Sequence, residues 1–404
     1  MGRRIIVATA FLLVLVACSD DAGQEPTTST SSPETTTTSV SVGPGRLAIV
    51  DPAGEVVVLD PDGSNRQAIT ESGGDPALHM QPIWSPDGSR LAWGQATGTG
   101  FGVGISEPGT GEITSLTTQN LPFYTYWSPN NRHLGLLHNG TSGVQFQIAD
   151  FDQETTSVLD EDAPFYFSWS PEGDRVVTHA GADRVETIRP DGDRTTLDPT
   201  EDSYLSPQWT EAGVFHAVAG QLVIEGDDAK RTPIVAVSGL TMFVANPSGT
   251  SVAVQSVGEG GPLTAATEDL PSVAPDTVVV VDVESGLIET VTEGPALGFF
   301  WSPDGRSLLI LTASADRVVP RVWDASQDPI DFAAYLPNPA MLQDTFPFFP
   351  QYAQSVRFWA PDSSAFAYAG DVDGEAGIWV QSLDGDPPNR VADGTWVAWS
   401  APAP

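Results

Sequence analysis

One pentapeptide and its copies set the period of this chain. Trp84-Ser85-Pro86-Asp87-Gly88 is followed by the apolar run Leu91-Ala92-Trp93. Trp127-Ser128-Pro129, Trp169-Ser170-Pro171-Glu172-Gly173, Trp301-Ser302-Pro303-Asp304-Gly305 and Trp359-Ala360-Pro361-Asp362 repeat the pattern, each before a short β-rich stretch. Weaker copies are Trp209-Thr210-Glu211-Ala212-Gly213, Ala245-Asn246-Pro247-Ser248-Gly249 and Trp399-Ser400-Ala401-Pro402. Successive spacings are 43, 42, 40, 36, 56, 58 and 40 residues. A period near 40 built of short strands and turns predicts an all-β β-propeller. In each unit Trp closes a strand and offers a large ring to a neighbouring blade. Pro removes a ladder donor, and Asp-Gly or Glu-Gly supplies the turn.

Repeated Trp-Ser-Pro-Asp-Gly before a short apolar strand resembles the TolB-like, WD40-like propeller, which also occurs in the propeller domains of prolyl oligopeptidase and dipeptidyl peptidase relatives. The resemblance covers residues 46–404 and implies the fold; propellers host many unrelated activities, so it assigns no function.

Two counts give eight four-stranded blades. There are eight inner strands ending in a marker, and eight turns between third and outer strands, from Asp62-Gly63 to Asp384-Gly385. Seven remains open if the unit at Ala245 merges with a neighbour. The chain enters at Arg46 without a marker and ends on an inner strand, Thr395–Trp399, that no blade follows. The two ends therefore complete one blade and close the ring, which leaves no open sheet edge. Two insertions lengthen the spacing: Gly258–Pro275, between second and third strands, and Pro337–Tyr352, read as the link leaving an outer strand. Both are expected on the top face, opposite the marker turns.

Before the propeller, residues 1–18 read as a lipoprotein signal peptide. Arg3 and Arg4 precede the short apolar stretch Ile5–Val16, which is too short to span a bilayer comfortably. Leu15-Val16-Ala17-Cys18 resembles a bacterial lipobox, which implies lipidation at Cys18, the one cysteine of the chain. Residues 19–45, where 13 of 27 are Ser or Thr, read as a disordered tether. At about 3.1 Å per residue it reaches roughly 80 Å when extended. The location implied is the bacterial cell membrane, lipid-anchored and facing outward.

The net charge is −36, from 53 acidic and 17 basic residues. This argues against nucleic acid and against direct contact with anionic headgroups. Membrane contact is expected only through the anchor, and the protein is expected to be a monomer. No G-x-S-x-G elbow is present, and no Asp or Glu stands within five residues before any marker. Catalytic residues, metal ligands and cofactors are therefore not assigned. The five histidines show no ligand spacing, and His138 and His179 read as solvent-facing loop residues.

The function this supports is a binding or scaffold module of the envelope, recognising a protein or a small ligand on its top face. The alternative is an envelope hydrolase or lyase, acting on a sugar or peptide at the top of the channel. The candidate contacts are Tyr124, Tyr166 and Trp396, each three residues before its marker. Strand alternation turns them away from the face shared by the marker, Phe123, Phe165 and Phe167. Filling of the channel is the competing reading for all three.

Overall fold

A computed structural model describes residues 44–181, 184–197, 206–226, 230–237, 240–258, 267 and 269–401. Cys18, the signal segment 1–18 and residues 19–43 of the tether lie outside the described residues.

Eight four-stranded antiparallel sheets form the ring of an eight-bladed propeller. The first blade takes its inner strand, Trp396–Trp399, from the far end of the chain. This strand pairs with Leu47–Val50 in the register Leu47 with Trp399 and Val50 with Trp396. The inner strands of the second to eighth blades are Leu78–Trp84, Pro122–Trp127, Phe165–Trp169, Gln208–Thr210, Leu240–Ala245, Ala296–Trp301 and Leu336–Pro337. The chain thus closes as its mismatched ends predict, with eight blades rather than seven.

The marker residues have separable tasks. Ser85 Oγ accepts from Arg90 N–H at 2.9 Å and donates to Asp87 Oδ1 at 2.7 Å, while Gly88 N–H donates to Ser85 O at 2.9 Å. Ser302 and Asp304 repeat the arrangement. Gly88 and Gly305 have φ of +73° and +71°, the left-handed region that favours glycine. The Trp ring packs between blades, and its Nε1 donates to the carbonyl just before the preceding blade's marker. Trp169 reaches Tyr126 O at 3.0 Å, Trp301 reaches Val244 O at 2.8 Å and Trp359 reaches Phe300 O at 2.9 Å.

Pro337–Tyr352 corrects the sequence reading. It does not extend a link between blades; it interrupts the inner strand of the eighth blade. Leu336 and Pro337 pair with Asp371 and Gly370. The strand resumes only at Phe358, whose carbonyl accepts from Ala367 N–H, and at Trp359, which pairs with Phe366. Between these points the chain leaves the sheet and makes short turns over Met341–Thr345, Phe346–Phe348 and Phe349–Tyr352. It enters the central channel there: buried Phe349 packs edge-on against Phe299 at 4.7 Å between centroids.

All five histidines are buried, contrary to the solvent-facing reading of His138 and His179. His138 lies within a second strand and bonds Gln147 Oε1 through Nε2 at 3.0 Å. Burial pushes His133 and His216 below their usual pKa, although Asp150 and Glu225 act in the other direction. The unfolded chain protonates both near 6.5, where the folded chain does not. Their contribution to stability is therefore complete above that pH and is lost as pH falls toward the depressed folded values. We expect the denaturant midpoint to fall between about pH 7 and pH 5, and His216→Gln to flatten part of the loss. A midpoint constant across that window contradicts the assignment.

Candidate functional site

The inner strands all end at the marker turns, so the residue two places after each Trp, or its equivalent, reaches the channel mouth. These residues are Pro86, Pro129, Pro171, Glu211, Pro247, Pro303, Pro361 and Ala401, one from each blade, and together they line a single cavity of about 580 Å³. Its position is therefore axial, at the marker-turn end of the ring. Trp209 and Trp301, both half-buried, stand in its wall, with Tyr126 and Phe300. The floor is the returning plug: Ala353, Gln354, Val356, Arg357 and Phe358.

The plug is held by side chains acting as strand edges. Inner strands direct one row of backbone groups at the channel, and a buried row needs partners. Gln351 accepts from Phe167 N–H through Oε1 at 3.0 Å and donates to Phe167 O through Nε2 at 2.8 Å. Its own carbonyl accepts from the Tyr124 hydroxyl at 3.0 Å. The Tyr352 hydroxyl meets Gln81 and the carbonyl of Phe123. Gln208 clips Phe243 O and Ala245 N–H in the same way, and Gln255 clips both backbone groups of Ala296.

Among the described residues two charged side chains line the cavity, Glu211 at the exposed rim and Arg357 in the floor. Arg357 is half-buried in the cavity floor, and among the described residues its guanidinium makes no hydrogen bond and no ion pair. Asp87, whose charge reaches it, spends Oδ1 on Ser85 and Ser89 in its own turn. Burial consequently pushes Arg357 below the usual arginine pKa. Arg321, which pairs with Asp331, is shifted the opposite way. The Tyr126 hydroxyl is raised to about 12 by burial, with Arg357 close enough to oppose the shift.

The predicted contacts are placed differently from one another. Tyr124 is 1% exposed and bonded to the plug. A bulge between Pro122 and Tyr124 shifts the register, so Tyr124 turns inward while Phe123 is left half-buried. Trp396 is 5% exposed, its Nε1 donating to Pro82 O at 3.3 Å. Both side chains are therefore packed, Tyr124 against the plug and Trp396 against the neighbouring blade. Tyr166 is half-buried, with its ring 6.5 Å from His179. Phe165 and Phe167 are buried, as alternation requires. Arg357 escaped notice, although it is the one Asp, Glu, Lys or Arg within five residues before any marker. Likewise, Glu211 stands where six of the eight units carry Pro.

Among the described residues, no group of three or more His, Cys, Asp or Glu side chains is arranged to hold a metal ion. No family model matches the chain, and no curated protein matches it. Solved structures do. A eukaryotic initiation factor aligns at 12% identity over 89% of this chain and 99% of its own, with a TM-score of 0.55. An oligogalacturonate lyase in complex with manganese aligns at 12% identity over 84% and 98%, with a TM-score of 0.52. TolB from Acinetobacter baumannii aligns at 14% identity over 71% of this chain and 63% of its own, less than two thirds, with a TM-score of 0.41. At such identities the likeness shows the fold alone: the protein is an eight-bladed β-propeller.

Proposed function

We propose that the protein is a lipid-anchored, extracytoplasmic binding module whose recognition site is the axial cavity at the marker-turn mouth. The observation that carries this reading is that cavity: eight blades contribute one wall residue each, and the chain's own plug supplies a floor. A closed floor suits capture better than passage. An apolar wall with few polar groups is the usual make-up of a ligand site. The top face remains a second surface for a protein partner, but Tyr124 and Trp396 are committed to packing there. Support for the anchor comes from Arg3, Arg4, the apolar run after them and Cys18.

Binding is favoured over the hydrolase or lyase alternative by the wall itself. Among the described residues Glu211 and Arg357 are its only charged groups, and it holds no histidine or cysteine. Of its serines, Ser302 bonds Asp304 and Ser400 bonds Ala401 O. A nucleophile needs a base within hydrogen-bond reach, and no such pair stands in this wall.

Wild-type protein is expected in the membrane fraction and Cys18→Ala in the soluble fraction or as an uncleaved precursor. Native mass spectrometry of detergent-extracted protein should show a co-purifying ligand that Pro247→Trp, which narrows the mouth at an exposed position, excludes. A ligand retained by Pro247→Trp, or an empty wild-type protein, refutes the cavity as the site.

A further inference from the structure

Among the described residues the axial cavity has a single positive charge, at its base, in a strongly acidic molecule. The protein carries a net charge of −36, so carboxylates are plentiful. Arg184 and Arg194 share Asp160, Arg231 meets Glu225, and Arg66 meets Asp51. Arg357, in the cavity floor, forms no ion pair among the described residues, and the charge of Asp87 reaches it without a contact. A guanidinium partly withdrawn from water and without an ion pair is costly to maintain. The ring of markers also excludes acids from the places that would relieve it: six of the eight wall positions are Pro, and the one Glu stands at the rim.

We propose that Arg357 is the anion receptor of this site, and that its ligand is a small organic monoanion: a carboxylate or comparable oxyanion head on an apolar, ring-bearing body. The proposal deepens the binding reading above and rests on it. A planar guanidinium presents paired donors that match an oxyanion. The Tyr126 hydroxyl, which makes no hydrogen bond among the described residues, adds a second donor close by. Trp209, Trp301 and Phe300 give the body of the ligand flat apolar surfaces. The volume of about 580 Å³ lies within the range of small-molecule sites, roughly 300–1,000 Å³. Size and charge together set the valence. The negative field of the whole protein opposes polyanions, and Glu211 at the rim repels a second negative group. Local donors therefore hold one charge, and the apolar wall supplies the rest of the affinity.

The probes are 1-naphthoate and its neutral isostere 1-naphthamide, titrated calorimetrically into the folded protein. Wild type should prefer the acid by roughly tenfold or more, as expected of a charge-assisted contact. Arg357→Gln should bring the ratio near one and leave the amide's affinity in place. Tyr126→Phe should weaken the acid while retaining a preference for it. The Arg357→Gln substitution spares the backbone carbonyl that accepts from Trp399 N–H at 2.8 Å, and a melting curve checks that the variant is folded. An acid preference that survives Arg357→Gln, equal binding of acid and amide by wild type, or no saturable naphthoate binding each overturns the proposal. Saturable binding of an acetylated Asp-Phe dipeptide without binding of naphthoate also overturns it and transfers the site to protein recognition. If the amide binds and Pro247→Trp abolishes it, the binding reading stands while the anion assignment falls. If neither probe binds and the extracted wild type is empty, both fall together.

Discussion

Removal of residues 395–404 is expected to abolish the monomeric fold. The deletion takes the inner strand of the first blade, Trp396–Trp399, and with it the closure of the ring. All four of its residues are buried. Two tryptophans that each bury about 150–250 Å² represent roughly 4–6 kcal/mol apiece at about 25 cal/mol per Å². That sum alone is comparable with the total stability of a typical domain, about 5–15 kcal/mol. The strand also ties distant parts together. Thr395 N–H donates to Val50 O and Ser400 N–H to Arg46 O, each at 2.8 Å, and Trp399 N–H donates to Arg357 O at the plug. The truncated chain would expose Leu47–Val50 as an open apolar edge, which promotes pairing between molecules. Size-exclusion chromatography should show aggregates, and the cooperative melt should vanish. A truncated monomer melting within a few degrees of the parent contradicts this account of closure. Trp399→Ala alone, at about 3–5 kcal/mol, should retain a weakened cooperative transition.

The fold was legible because the propeller repeats its punctuation. Each Trp-Ser-Pro-Asp-Gly performs one local job, a strand end and a turn, and local jobs are written in adjacent residues. Ring closure was legible for a related reason: an inner strand with no blade after it and a blade with no inner strand before it form a complementary pair. The plug was not legible. Leu336 and Pro337 form a strand of two residues, too short to carry a period, so the insertion after them read as a link between blades. The inward turn of Tyr124 depends on a bulge, and alternation counted along the sequence cannot register an added residue. The histidines were misread because burial in a second strand depends on the neighbouring blade, which lies about 40 residues away in the sequence. The site itself hid behind a correct reading. The prolines recognised as strand terminators are also the cavity wall, and the informative positions were the departures from the repeat, Glu211 and Arg357.

Gln351→Leu is expected to be among the most destabilising single substitutions in the chain. Gln351 is 4% exposed, and its amide does for Phe167 what a neighbouring strand would do, accepting from its N–H and donating to its C=O. The Ser206 hydroxyl also donates to Oε1, at 3.2 Å. Leucine has nearly the same volume and no hydrogen-bonding group, so the loss is polar rather than a matter of packing. Two backbone groups and one hydroxyl would lose their partner in a channel closed on one side by Phe349 and Tyr352. At about 1–3 kcal/mol for each unsatisfied group, with some relief if water enters, the cost is on the order of 3–5 kcal/mol. Gln354→Ala is the matched comparison. Gln354 sits on the same segment, half-buried, and donates to Ser206 Oγ and Pro207 O. Ser206 keeps Gln351 Oε1 as a partner when Gln354 is lost, so about 1 kcal/mol is expected. Denaturant midpoints of the two variants measured side by side decide the matter. If they agree within about 0.5 kcal/mol, a spread ordinary for surface changes, Gln351 is not the clasp of the plug. If Gln351→Leu falls far below, the loosened floor should also weaken naphthoate binding, because Arg357 is carried on the segment that Gln351 holds in place.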